Sequence, residues 1–357
     1  LHKEYRRQRQ MCIRDSVHIY THRGKIPFIP QSPTLVSAMP QTNGSKQTPQ
    51  KKDVTKLGGC IAGALAGCAA VTFTNPIELV KTRMQLEGEL SSKTSAPKVY
   101  KNPFQAFALV FKNEGLKGVQ KGLIASYLYQ TGLNSCRLGF YEPMRCWINS
   151  LLFPKRDPVQ FQSMGVNVFV GVATGVIGSV VSSPFYLLKT RMQSFSEQVK
   201  IGNQSHYDSV WHGLKDIFQD EGVRGLFRGA NAAILRTAVG SGAQLPAYFF
   251  AKEQLEKLGN LKDGLAMQLA CSAFAGVGVT VVMNPFDVVL TRLYNQKGAL
   301  YRGTVDCFMK TVRAEGVGAL YKGFVAQLLR NTPHSILLLM FMEQTMSMVY
   351  SVEQRLR

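Results

Sequence analysis

One string of eleven residues, built around a proline, occurs three times at intervals of roughly a hundred residues. It reads Asn75-Pro76-Ile77-Glu78-Leu79-Val80-Lys81-Thr82-Arg83-Met84-Gln85 in the first copy. The second is Ser183-Pro184-Phe185-Tyr186-Leu187-Leu188-Lys189-Thr190-Arg191-Met192-Gln193, and the third is Asn284-Pro285-Phe286-Asp287-Val288-Val289-Leu290-Thr291-Arg292-Leu293-Tyr294. A second signature follows each: Glu114-Gly115 with Lys121-Gly122, Glu221-Gly222 with Arg228-Gly229, and Glu315-Gly316 with Lys322-Gly323. Two ordered motifs recurring three times mean three copies of one structural unit, because a chain with such periodicity folds as repeats rather than around one irregular core. The repeats are expected over 53–150, 155–258 and 262–350.

Each copy places the proline motif at the end of a long apolar stretch. Leu57 to Ile77, Val159 to Leu188 and Gly264 to Phe286 carry no charge, and each reaches the roughly 20 residues that a helix needs to cross a bilayer. Three further stretches carry one charge each: Gly122 to Tyr141 holds Arg137, Gly229 to Ala251 holds Arg236, and Gly323 to Met342 holds Arg330. The pattern predicts an all-α membrane protein with six spanning helices and both termini on one side. Short amphipathic helices are expected between the spans of each pair, for example Asn102 to Asn113 and Tyr207 to Asp220. Pro76, Pro184 and Pro285 each remove one backbone bond and are expected to kink the odd-numbered helices. Gly59, Gly63 and Gly67 lie four apart, which puts small residues on one face and lets helices approach closely. The bland alternative, six core helices of a soluble protein, fits the span lengths less well. The mean hydropathy of −0.03 averages apolar spans with charged loops.

Residues 1–52 are polar, basic and rich in Pro, Ser and Gln. They are read as a disordered basic tail, in which the stretch before Met39 is a candidate for a fragment end or translated upstream sequence; a transit peptide is the alternative. The seven cysteines are scattered and show neither a disulfide framework nor metal-ligand spacing. No phosphate-binding glycine loop, metal-spaced histidine cluster or nucleophile triad is present, so no enzyme activity, cofactor or metal is expected. A net charge of +20, from 42 basic against 22 acidic residues, suits an anionic ligand or lipid. A nucleic-acid partner would account for that charge but not for six apolar spans.

The tripled Pro-x-acid-x-x-base string, with Glu-Gly and basic-Gly downstream, resembles the mitochondrial carrier family from about Asp53 to Tyr350. The resemblance implies a threefold pseudo-symmetric six-helix barrel in the inner mitochondrial membrane, with three short matrix helices. A central site would open alternately to either side. It implies a matrix gate in which the acid of one odd-numbered helix meets the base of the next: Glu78 with Lys189, and Asp287 with Lys81. Tyr186 stands where an acid is expected and Leu290 where a base is expected, and these two would face each other. Gln85 and Gln193 resemble the family's bracing glutamines, with Tyr294 at the third position. On the even-numbered helices the resemblance implies a cytoplasmic gate, with Glu142 facing Lys252, Glu343 facing Arg145, and Phe249 facing Met346.

The same resemblance places the main substrate contacts at Tyr129, Arg236 with Thr237, and Arg330. Arg137 lies eight residues, or about two turns, beyond Tyr129 on a similar face. Gln244 and His334 are further candidates. Arginine stays charged and grips carboxylate or sulfate with two parallel bonds. Three arginines in apolar spans, with no carboxylate nearby in sequence, therefore point to a small dianion. The string from Asn284 to Gly298 resembles the oxaloacetate-transporting branch of the family, which implies oxaloacetate, sulfate, thiosulfate or malonate. Another dicarboxylate or keto acid is the alternative substrate; a non-transporting membrane receptor or structural protein is the alternative class. Lys121-Gly122, Arg228-Gly229 and Lys322-Gly323 open the even-numbered helices, where free amides beside a cation suit the phosphates of cardiolipin.

Overall fold

The computed structural model describes residues 55–89, 99–154, 157, 161, 163–197, 204–257, 265–296, 298 and 300–356. The proposed tail at 1–52 lies outside these residues, as do the side chains of Gln244, Phe249 and Lys252 within their helix. Among the described residues all regular structure is helical. Ten α-helices follow in order: α1 Lys56–Leu86, α2 Pro103–Val119, α3 Leu123–Leu152, α4 Met164–Val181, α5 Ser183–Ser194, α6 Val210–Leu226, α7 Ala230–Lys257, α8 Leu265–Asn295, α9 Thr304–Glu315 and α10 Phe324–Leu356. A 3-10 turn, Val317–Tyr321, joins the last two.

Six long rods form a closed ring. α1 packs on α3, α3 on α4, α4 on α7, α7 on α8, α8 on α10, and α10 back on α1. The ring closes at the chain ends as well, where the backbone N–H of Thr55 donates to Glu353 Oε2 at 3.0 Å. Thr55 also caps α1 by accepting from the Gly58 amide. α1, the Phe274–Asn295 part of α8, and the helical stretch Val317–Arg355 are long and apolar enough to cross a membrane; α4 and α5, bent by 61° at their junction, are so when taken together. α3 and α7 have the length but carry more polar side chains, among them Asn134 and Arg137 on α3 and Arg236 and Thr237 on α7.

Small residues set how closely the ring packs. A Cβ on Gly63 would strike the Leu138 side chain, and one on Gly67 would lie 2.5 Å from Asn134 Nδ2. Asn134 uses this approach to donate to the Gly63 carbonyl at 3.3 Å. Gly59, the third member of the stripe, faces open space. The contact therefore starts one turn later than the spacing predicts.

Proline does not act alike in the three repeats. Pro76 and Pro285 lie inside continuous helices. Pro184 sits in the first turn of α5, after a break at Ser182 that separates α5 from α4. The even-numbered rods carry prolines too, Pro143, Pro246 and Pro333. The odd-numbered rods continue well past their predicted apolar ends, because the polar residues beyond each proline are buried against one another.

Both glycine motifs are required by the backbone. Gly115, Gly222 and Gly316 have φ of 64°, 65° and 86°, and Gly122, Gly229 and Gly323 have φ of 73°, 83° and 73°. That left-handed region is costly for residues with a Cβ. The first set interrupts or ends the amphipathic helices; the second starts α3, α7 and α10.

Replacing Gly67 with Leu should drive a side chain into Asn134 and separate α1 from α3. A loss of about 1–3 kcal/mol is expected for such overpacking, measured as a lowered thermal unfolding midpoint in detergent. Gly59→Leu should leave the midpoint unchanged.

Candidate substrate cavity and gate

The proline motifs converge at one end of the barrel. Lys189 Nζ lies 2.6 Å from Glu78 Oε1, and Lys81 Nζ lies 3.3 Å from Asp287 Oδ2. All four side chains are buried, those of Lys81 and Asp287 only 3% and 1% exposed. Each pair joins two repeats. A buried charge is tolerated only when its counter-charge is held close, so these contacts strongly restrict how the odd-numbered helices can meet.

A hydrogen-bonded layer lies one helical turn beyond each pair. Gln193, four residues after Lys189, accepts from Thr82 Oγ1 at 3.2 Å and donates to Asn75 Oδ1 at 3.0 Å. Gln85, four residues after Lys81, accepts from Thr291 Oγ1 at 2.9 Å. Tyr294 takes the third place, its hydroxyl 2.8 Å from Ser183 Oγ. The proline motifs of repeats two and three make no ion pair with each other among the described residues. Tyr186 packs there against the apolar cluster that contains Leu290 and Tyr294, its ring 5.2 Å from that of Tyr294. Lys189 Nζ stands 5.4 Å above the Tyr186 ring and 5.5 Å from that of Tyr129, within cation–π range.

The central arginines lie just above this layer, and two of them have carboxylates close by, contrary to the expectation from sequence. Arg236 binds Asp287 through Nε, and Arg330 Nη2 lies 3.3 Å from Glu78 Oε1. Each acid of the closed end is thus shared between a lysine of a neighbouring odd-numbered helix and an arginine of an even-numbered one. These neighbours are remote along the chain, so local spacing does not reveal them. Arg137 differs: its Nε is buried without a hydrogen bond, and it pairs with no carboxylate among the described residues. It packs beside Gly175 and Thr237, where a Cβ on the glycine would come within 3.0 Å of Arg137 Nη2 and 3.1 Å of the Thr237 methyl. His334 has Thr74 Oγ1 at 3.2 Å and Gln130 Nε2 at 3.4 Å.

The opposite end is arranged differently from the expected cytoplasmic gate. Arg145 does not face Glu343 on the last helix. It bonds instead to Glu142 on its own helix, at 2.7 Å, and donates to the Phe161 carbonyl. Glu343 is exposed. Arg145 takes Glu142 because an (i, i+3) partner needs no approach of a second helix. Met346 packs with the cluster around Leu338 and Met342. The barrel is therefore held shut by inter-repeat ion pairs at the proline end, whereas the Arg145–Glu142 pair at the other end lies within one helix.

A third set of charges joins the short helices to the rods. Arg83 grips Glu114 with both terminal nitrogens, at 2.5 and 2.9 Å, and donates to the carbonyls of Gln193 and Phe195 in the next repeat. Arg191 repeats this with Glu221 and the carbonyls of Tyr294 and Gln296. Arg292 grips Glu315 at 2.7 and 2.9 Å. Lys121, Arg228 and Lys322 reach the same three glutamates at 2.9, 3.0 and 2.6 Å. The cations of the basic-Gly pairs are thus engaged with protein carboxylates. A Cβ on Gly122 would lie 3.2 Å from the Gln193 side chain, one on Gly323 3.1 Å from that of Gln85, and one on Gly229 3.3 Å from the Tyr294 ring. Sequence reasoning misses these clamps, although one signal points to them: Arg and Glu recur three times at matching places in the repeats.

A six-rod barrel, closed at one end by inter-repeat charges and lined at mid-depth by arginines, defines a membrane carrier. The family profile described as "Mitochondrial carrier protein" matches residues 52–151, 160–258 and 262–353. The mitochondrial oxaloacetate transport protein of Saccharomyces cerevisiae is 59% identical over 319 residues, covering 88% of this chain and 98% of that one. The protein of the same name from Schizosaccharomyces pombe is 44% identical, covering 87% and 95%. The mitochondrial citrate transporter E of Aspergillus niger is 46% identical, covering 84% and 96%. The chain belongs to the mitochondrial carrier family.

The Arg83–Glu114 clamp carries a pH dependence. Burial pushes the Glu114 carboxyl up, but hydrogen bonds from Arg83, Lys121 and Ser196 outweigh it and hold it at about 2. A folded-state value below the ordinary one, about 4.3 for glutamate, contributes stability above that pH and loses it as pH falls towards 2. The unfolding midpoint in detergent should drop across this window, and Glu114→Gln should be less stable at pH 7 with a shallower acid slope.

Proposed function

We propose that this chain moves small dianions across the inner mitochondrial membrane by alternating access, with oxaloacetate the principal substrate and sulfate, thiosulfate or malonate accepted. The observation that carries this is the placement of Arg236 and Arg330 on the gate acids Asp287 and Glu78. Arg137 adds a third charge, without a carboxylate partner among the described residues. Tyr129, Thr237 and Arg236 line one small space together. The naming of two relatives as oxaloacetate transport proteins supports the substrate.

The ligand enters from the end away from the inter-repeat ion pairs and meets Arg137 first. It then competes with Asp287 and Glu78 for the two shared arginines. Each acid that gives up an arginine keeps only its lysine, so the closed end is held by fewer charges and separates at lower cost. A ligand shifts such an equilibrium only by binding the opening state better than the closed one. Two negative charges suit that exchange because two arginines change partners. The proline-end pairs are the matrix gate, braced by Gln85, Gln193 and Tyr294. Glu142, Arg145, Phe249, Lys252, Glu343 and Met346 would come together as the cytoplasmic gate once the first has opened. The citrate transporter among the relatives favours a second reading, a tricarboxylate substrate at the same arginines.

Purified protein in liposomes should take up labelled sulfate against internal oxaloacetate or malonate. Arg236→Ala and Arg330→Ala should each cut the rate at low substrate about 10- to 100-fold, as expected for a lost charge-assisted hydrogen bond. Exchange with citrate alone would favour the second reading, and exchange with ADP alone would exclude both.

The starts of α3, α7 and α10 are proposed to hold cardiolipin phosphates on backbone amides, the dipole of each helix adding to the attraction. Lys121, Arg228 and Lys322 stay partly exposed beside them. Added cardiolipin should raise the unfolding midpoint in detergent by several degrees relative to phosphatidylcholine, an effect of ligand binding to the folded state. An equal midpoint in both lipids would remove this part of the proposal.

A further inference from the structure

The seam between repeats two and three is more than an apolar filler. Tyr129, Tyr186, Arg236 and Thr237, with Leu290 and Tyr294, line one small open pocket. The first four decide its chemistry. Arg236 spends only Nε on Asp287, so neither terminal nitrogen has a hydrogen-bond partner among the described residues. Nor do the hydroxyls of Tyr129, Tyr186 and Thr237 make a hydrogen bond among the described residues, whereas that of Tyr294 is engaged by Ser183. The rings of Tyr129 and Tyr186 meet edge to face at 4.8 Å, which holds the two phenols side by side.

We propose that Tyr186 is a substrate-contacting, specificity-determining residue: with Tyr129, Thr237 and the free fork of Arg236 it forms a subsite for one oxyanion end of the ligand. The inference rests on the dianion-carrier reading above and assigns to Tyr186 a role other than closing the gate. A phenol can donate to a carboxylate or sulfate oxygen without adding charge. An acid in that place would instead compete with the ligand for Arg236. The departure of repeat two from the pattern of Glu78 and Asp287 thus converts one gate position into a donor. Leu290 opposite supplies no cation to hold an acid and no donor to occupy the phenol. Lys189 above the Tyr186 ring makes the seam more favourable to an anion.

The test is uptake by wild type, Tyr186→Phe and Tyr186→Glu in liposomes, with labelled sulfate outside and malonate inside, and with external malonate and oxaloacetate as competitors. Tyr186→Phe keeps the ring and its packing and removes only the hydroxyl. Its KM for sulfate should rise about tenfold or more, its maximal rate should stay within about twofold of wild type, and its unfolding midpoint should not move. The ratio of inhibition by malonate and oxaloacetate should change. Tyr186→Glu should lose uptake while still folding. An unchanged KM and competitor ratio in Tyr186→Phe, with or without a changed maximal rate, would overturn the proposal and return Tyr186 to the gate. If wild type carries no small dianion, the functional reading itself fails; if it does and only the Tyr186→Phe variant behaves as wild type, this inference alone fails.

Discussion

Glu78 with Lys189 and Asp287 with Lys81 each tie one repeat to another in a setting where an unmatched charge is severely penalised. The amides of Gln85 and Gln193, one turn beyond the lysines, bond across the same helices. The Arg83, Arg191 and Arg292 clamps act at the next level. They lock the short helices α2, α6 and α9 to the rods and, for the first two, to the carbonyls of the following repeat.

The sharing of each acid between a lysine and an arginine links the closed end to the cavity. The same carboxylates hold the arginines to which our proposal assigns the dianion, so under that proposal ligand binding and gate strength draw on one set of charges. Arg137, paired with no carboxylate among the described residues, is in our proposal the first fixed charge that an entering anion meets. Where the proline motifs of repeats two and three meet, aromatic packing of Tyr186 stands in place of a charge pair. That leaves two phenols beside Arg236 where the symmetric pattern would have left an ion pair.

The repeat architecture was legible because it is periodic. Three proline motifs, three Glu-Gly pairs and three basic-Gly pairs define the helices they flank, and the left-handed glycines follow from backbone sterics. The pairing of Glu78 with Lys189 and of Asp287 with Lys81 followed from the resemblance to the carrier family. Less legible was the state of the arginines. Arg236 and Arg330 looked unmatched because their carboxylates lie on helices far away in sequence. Gly59 looked equivalent to Gly63 and Gly67, yet it faces open space, because a stripe marks a face and not how far the neighbouring helix extends. The three prolines looked equivalent too, yet only the one in repeat two stands beside a broken helix. Arg145 turned to Glu142 because a local partner is available without closing the far end.

Fold class, the number of repeats and the kinds of charge at each seam are written along the chain, since they depend on local sterics, apolar length and periodicity. The tertiary structure decided the rest: which end is closed, which carboxylates hold the central arginines, and which donors at the third seam stay unoccupied. Those outcomes depend on distances between side chains on different helices, and no spacing along one chain encodes such distances directly.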